Sequence, residues 1–155
     1  IIYKWKEGIF MRVKECMCNN VIYTNPGDTL ENVAKLMNEN HIGCIPVCEE
    51  AGNVVGFVTD RDIILRGVAC GKNCANTKVS EIMTTQVIKT TPDTEINSVT
   101  QTMSDNQIRR LPVIQDGKVV GILTLSDIAK NDGISKETLG NTMECICGCN
   151  KKNDR

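Results

Sequence analysis

The sequence predicts an α/β protein: two tandem β-α-β-β-α units packed sheet to sheet with pseudo-two-fold symmetry. Three observations lead there. Residues 13–47 match residues 79–113 at 13 of 35 positions, and residues 52–63 match 117–128 at 7 of 12. Self-similarity at a fixed offset marks a duplicated supersecondary unit. Each copy also carries the same order of patterns, an apolar helical stripe between short β-prone runs. Finally, one copy of about 60 residues is marginal as an independent core, so two copies are expected to share one.

The elements follow in order. Residues 21–24 are a short β-prone run stopped by Pro26-Gly27. Asp28 reads as the N-cap of the first helix, with Glu31 completing a capping box. Leu30, Val33, Ala34, Leu36 and Met37 give that helix its apolar stripe, through about residue 40. Residues 44–48 read as a buried strand, residues 51–53 as a hairpin turn and residues 54–58 as the return strand. Thr59 or Asp60 caps a second helix, which runs to about residue 66. The second copy has its elements at 87–90, 95–106, 111–115, 119–123 and 126–130. The segments are a leader over 1–11, the first repeat over 12–70, a linker over 71–77, the second repeat over 78–130 and a cysteine-rich tail over 131–155. Residues 78–83 form a short helical lead into the second repeat.

Composition narrows the function. The formal net charge is −1 at pH 7, so no whole-chain field draws the protein to nucleic acid or membrane. One Trp, two Tyr and two Phe are few for a binder that stacks single-stranded bases. No apolar run approaches the roughly 20 residues that span a bilayer, and no secretory signal pattern is present. The nine cysteines therefore read as free thiols in a reducing cytoplasm. A single His, with no P-loop and no Ser-His-Asp or metal-hydrolase motif, argues against an enzyme. Lys6-Glu7-Gly8 can be encoded by AAGGAGG, a bacterial ribosome-binding sequence, just before Met11. Residues 1–10 are then non-native leader sequence. Alternatively, they are a real segment that packs Trp5 and Phe10 on the domain.

The candidate chemistry lies where each return strand meets its second helix. A helix start presents unpaired N–H groups. Asp62, one turn in, can accept hydrogen bonds from two vicinal ribose hydroxyls, and the Thr59 hydroxyl can donate and accept. Gly56 leaves room for a base or sugar to approach the backbone. Gly121, Thr124 and Asp127 repeat the set. The competing reading is structural: Thr as an N-cap, and Asp answering the helix dipole.

The repeated lead-ins Val13-Lys14-Glu15-Cys16-Met17 and Val79-Ser80-Glu81-Ile82-Met83, the strands Ile45-Pro46-Val47 and Leu111-Pro112-Val113, and the two Gly-x-x-Thr-x-x-Asp endings resemble a tandem pair of cystathionine β-synthase (CBS) domains, a Bateman module. The resemblance covers residues 12 to about 130. It implies a regulatory module without catalysis. Such a module binds AMP, ADP, ATP or another adenosine derivative, as a ligand and not an obligatory cofactor, in clefts between the repeats. It also implies a flat homodimer. The expected contacts are the apolar positions of 78–83 with Ile63, Ile64 and Ile128. In similar modules a basic residue before the second strand reaches phosphates, often from the opposite repeat. Arg109 and Arg110 hold that position, where the first repeat has Gly43 and Cys44, so the Arg pair is expected to face the Thr59/Asp62 cleft. Adenine would be read by backbone groups around Ile22–Thr24 and Ile88–Thr90. Ile45, Val47, Leu111 and Val113 are the expected apolar walls, with core packing as the alternative.

Cys145, Cys147 and Cys149 in the tail could bind a soft metal. Their spacing lacks the C-x-x-C pairing of common zinc sites, and no fourth ligand is evident. The competing function is thus a thiol or metal-binding protein that works through its tail, with the repeat pair as a dimerisation scaffold. A protein target of the module is also expected.

Overall fold

The computed structural model describes residues 11–131 and 134–148. The expectations for residues 1–10 and for Cys149 lie outside the described residues. The chain forms two compact units. Of the described residues, one holds 20–89 with 114–120, and the other holds 11–19, 90–113 and those from 121 onward. They are called the first-repeat unit and the second-repeat unit below.

The first-repeat unit is built on β1 (Cys44–Cys48) and β2 (Val54–Thr59), paired antiparallel from Cys44 opposite Thr59 to Val47 opposite Gly56. β1 is buried from Ile45 onward, whereas burial alternates along β2, as one covered face requires. β3 (Arg110–Gln115) and β4 (Lys118–Thr124) form the second two-stranded sheet. Asp116 and Gly117 both have positive φ, at 51° and 78°, the twist a tight hairpin turn needs.

The expected third strand of each sheet contracts to a single parallel bridge, Thr24 to Val47 and Thr90 to Val113. Pro26 and Pro92 follow within two residues and end the extended run. α1 (Leu30–Glu39) begins one residue later than the capping expectation. Thr29 is the cap, its hydroxyl accepting from the Asn32 N–H, while Asp28 is taken by Thr24 and the Asn25 N–H. Leu30, Val33 and Met37 are buried as the stripe demands. The second helix is less regular than expected. α2 (Asp60–Asp62) continues as a π-helical turn, Ile63–Gly67, and a 3₁₀ turn, Val68–Cys70, closed by Gly71 at φ 69°. In the second-repeat unit, α3 spans Ile96–Asn106, α4 spans Leu125–Ala129 and α5 spans Lys136–Cys147.

Each unit draws its lead-in from the other end of the duplication. Val13 N–H donates to Thr94 O, and Lys14 N–H to Pro92 O. At the positions 66 residues on, Val79 N–H donates to Asp28 O, and Ser80 N–H to Pro26 O. Met11 O accepts from Ile96 N–H as Thr77 O accepts from Leu30 N–H. The 71–77 linker therefore caps α1, because Cys74 O also accepts from Glu31 N–H. The core of the first-repeat unit is accordingly Leu30, Val33, Met37, Ile45, Val47, Val58 and Ile63, completed by Val79 and Ile82 from the lead-in. Val13, Ile96, Val99, Met103, Leu111, Val113, Leu123 and Ile128 are the buried counterparts.

Candidate functional site

In the first-repeat unit, β2 ends at Thr59, whose extended backbone caps α2. The Thr59 hydroxyl accepts from Asp62 N–H at 3.1 Å. In return, Asp62 Oδ2 accepts from Thr59 N–H at 3.0 Å and from the Thr59 hydroxyl at 2.8 Å. Asp62 Oδ1 lies 3.5 Å from Arg66, whose guanidinium also donates to Ile82 O at 2.9 Å. Sequence reasoning missed Arg66, although its i,i+4 spacing from Asp62 was legible. The second-repeat unit repeats the cap. Asp127 Oδ2 accepts from Thr124 N–H at 3.1 Å and from its hydroxyl at 2.6 Å. Lys130 stands 3.8 Å from Oδ1. One oxygen of each carboxylate is thus spent on a reciprocal cap. The other faces Arg66 at 3.5 Å in the first repeat and Lys130 at 3.8 Å in the second, and keeps acceptor capacity. The Asp side chains are 17% and 23% exposed.

The room beside the two glycines has an occupant within each unit. A Cβ on Gly56 would overlap Met83 Sδ, and one on Gly121 would come 2.6 Å from Met17 Sδ and 3.2 Å from Cys18 O. On the side a Cβ would take, that space holds the lead-in methionine, and backbone pairs tie each lead-in beside it: Phe57 with Thr84, and Ile122 with Cys18. Methionine at the same place in both lead-ins was the available signal.

Ile45, Val47, Leu111 and Val113 have no exposed surface, so the core alternative describes them here. Strand centres under a helix stripe leave no open side. Thr24 is 4% exposed and Thr90 8%. The Thr24 N–H donates to Pro46 O and the Thr90 N–H to Pro112 O, so neither amide is open to an adenine edge. Ile22 and Ile88 are half-buried.

Arg109 and Arg110 line a cavity of about 410 Å³ together with Thr124, Leu125, Ser126 and Ala129 of their own repeat, and with Leu139, Gly140 and Met143 of α5. Within their own repeat, Leu125 N–H donates to Arg109 O at 2.9 Å, as Asp60 N–H donates to Gly43 O at 3.1 Å in the other repeat. No carboxylate among the described residues pairs with either guanidinium.

Cys145 and Cys147 are exposed in the last turn of α5. Among the described residues, no three or more His, Cys, Asp or Glu side chains gather into a metal-holding group. Cys16 is different: burial first, then the Asp127 and Glu15 carboxylates, push its thiol up to about 11. Burial also raises Cys48. No described helix is long and apolar enough to cross a membrane.

Comparison with known proteins agrees with this architecture. The CBS domain family model matches residues 13–68 and 79–133. The chain is 38% identical over 134 residues to the CBS domain-containing protein YhcV of Bacillus subtilis, covering 86% of this chain and 94% of the relative. The CBS domain pair of protein MJ0100, solved with 5′-methylthioadenosine and S-adenosyl-L-methionine, is 30% identical. It superposes with a TM-score of 0.71 over 78% of this chain and 94% of that one. Hypoxic Response Protein I, solved with two coordinated zinc ions, is also 30% identical with a TM-score of 0.71, over 77% of this chain and 98% of that one. Two matched repeats, exchanged lead-ins and a Thr-Asp cap at each return strand make this chain a member of the CBS domain family.

Proposed function

We propose that the chain is a stand-alone regulatory module, without catalysis of its own, that binds an adenosine-containing ligand through the Thr59/Asp62 and Thr124/Asp127 ends. The observation that carries this reading is the duplicated cap. In both repeats the carboxylate is held by its neighbour through Oδ2, while Oδ1 retains lone pairs for a ribose diol. A diol at Asp62 must compete with Arg66, and one at Asp127 with Lys130. The related pair solved with two adenosine derivatives supports the ligand class. Arg109 and Arg110 favour a charged derivative such as AMP, ADP or ATP over adenosine.

The module then acts by population shift: ligand favours one arrangement, and a second subunit or target protein reads it. We propose a homodimer in the cytoplasm. Ile63 and Ile128 are 7% and 0% exposed and belong to the cores, whereas Ile64, Leu65 and Val68 are 58%, 47% and 59% exposed. The dimer contact is therefore assigned to this segment of the first repeat.

Isothermal calorimetry with AMP, ATP, adenosine, NAD, S-adenosylmethionine and cyclic di-AMP tests the ligand. Heat from none of them at millimolar concentration would remove the reading. A second reading, metal binding at the tail, is favoured by the neighbour's zinc ions and by the exposed Cys145 and Cys147. Metal analysis of the purified protein separates the two.

A further inference from the structure

The sheet of the first-repeat unit has two unlike ends. Thr59 lies at one, opposite Cys44; the hairpin lies at the other, the length of β1, or about 13 Å, away. Two observations mark the hairpin end. The register slips there, so Val47 faces Gly56 but Cys48 faces Val54. Such a bulge bends the strand and re-aims the side chains beside it. The turn is also one residue longer than its copy. Residues up to 47 match positions 66 further on, whereas residues from 52 match positions 65 further on. Where the second repeat turns on Asp116-Gly117, the first carries Glu49 and Glu50 ahead of Gly52.

A cavity of about 870 Å³ opens at this end, and all of its lining belongs to the first-repeat unit. The volume suits a small molecule. Its apolar lining is Tyr23, Pro26, Cys48 and Val119, and Tyr23 is 56% exposed. A ring left half in water offers apolar area that a ligand can cover. The charged lining is Glu49, Glu50 and Lys118. The Lys118 stem runs beside the turn, since a Cβ on Gly52 would lie 3.8 Å from Lys118 Cβ. Yet no ion pair joins Lys118 to either glutamate, or any of the three to another partner, among the described residues. Opposite charges therefore border one space without neutralising each other.

We propose that this cavity binds a zwitterionic α-amino acid with an apolar side chain. The glutamates take the ammonium, Lys118 takes the carboxylate, and Tyr23, Pro26 and Val119 take the side chain. A simple cation would be repelled by Lys118 and a simple anion by two carboxylates, so a ligand that carries both charges suits the whole lining. The inference goes beyond the adenosine reading. It uses neither Thr-Asp ending and neither arginine, and it lies at the opposite end of the strands. Lys118 and Val119 belong to β4 in sequence but to the first-repeat unit in space, so the bound amino acid touches both hairpins.

The test is isothermal calorimetry of the full chain with L-phenylalanine, phenethylamine, which lacks the carboxylate, and 3-phenylpropionate, which lacks the amine. L-Phenylalanine should bind saturably, and each analogue at least about tenfold more weakly, the scale of one charge-assisted hydrogen bond. Lys118→Gln and the double variant Glu49→Gln/Glu50→Gln should each weaken L-phenylalanine by a similar factor. All three side chains are exposed, so these variants keep the fold. In Lys118→Gln, L-phenylalanine and phenethylamine should bind alike. If neither L-phenylalanine nor L-leucine binds at millimolar concentration, the proposal falls. Equal wild-type affinity for L-phenylalanine and either analogue, or equal L-phenylalanine affinity in wild type and either variant, would reduce the three charges to a solvated surface. AMP should not displace L-phenylalanine; displacement would put both ligands in one site and overturn the separate cavity. Heat with L-phenylalanine but with no nucleotide keeps this site and loses only the adenosine reading.

Discussion

Met83 Sδ occupies the space into which a Cβ on Gly56 would project, and Met17 does the same at Gly121. The glycine of each Gly-x-x-Thr-x-x-Asp ending is therefore a socket for the lead-in methionine. Gly56→Ala should destabilise the protein by about 1–3 kcal/mol through overpacking. Met83→Ala in the same chain should recover much of that loss, because it removes the overlapping atoms. Gly121→Ala should be rescued less well by Met17→Ala, since the Cys18 carbonyl at 3.2 Å remains. Urea denaturation of the four single variants and two doubles checks this; purely additive losses would show that the contact is not the cause.

Thr59 and Asp62 allow capping and binding to be separated. Thr59→Ala removes the hydroxyl that accepts from Asp62 N–H and should cost about 1 kcal/mol of stability. Asp62→Ala removes the reciprocal half, and should also weaken an adenosine nucleotide by about 1.5–3 kcal/mol, the scale of hydrogen bonds to a charged group. Paired thermal melts and calorimetry read both effects. Lower melting with unchanged affinity would reduce Asp62 to a cap.

Asp28 supplies a pH signature. The Thr24 hydroxyl, donating to its carboxylate, is the main cause that holds its pKa below the ordinary value, with burial opposing. A depressed folded pKa adds stability above the unfolded value of about 3.9 and loses it as pH falls through the folded value. Thr24→Val should therefore be less stable than wild type at neutral pH, and the gap should shrink in acid. Urea midpoints from pH 7 down to pH 3 test it; a gap that widens in acid contradicts the assignment.

Cys16 should be a poor nucleophile. With its thiol pushed up to about 11, only about one part in a thousand is thiolate at pH 8. Exposed Cys145 and Cys147 should react with iodoacetamide first, followed by mass-spectrometric mapping. Asp127→Asn should speed Cys16 by less than about tenfold, because burial outweighs the Asp127 charge among the causes. Cys16 labelling as fast as Cys145 in wild type would refute this.

The exposed apolar segment predicts the assembly. Light scattering at micromolar concentration should give a dimer, and Ile64→Lys/Leu65→Lys should give a folded monomer, since both side chains stand outside the core. A closed pair is the commonest assembly. A monomeric wild type would reject the dimer, and a dimeric variant would move the contact elsewhere.

Much of the fold is determined by sequence alone, because it rests on local periodicity and duplication. The α1 stripe of Leu30, Val33 and Met37, the hairpins around Pro46 and Pro112, and the Thr-Asp endings all repeat at a nearly constant offset. A helical or extended pattern needs only its own neighbours to declare itself. The family membership follows from the same pattern. Tertiary structure alone decided which copy each segment joins. Val13 through Cys18 open the first repeat in sequence, yet they bond to Thr94, Pro92 and Ile122 of the second. The two repeats are alike enough that sequence offers each lead-in two equivalent sockets; connectivity and chain reach choose between them. The same holds at the candidate sites. Gly56 and Gly121 looked open because the methionines that fill them lie far away in sequence. Arg109 and Arg110 share a cavity with Gly140 because α5 folds back onto α3, a long-range contact for which local sequence carries no signal.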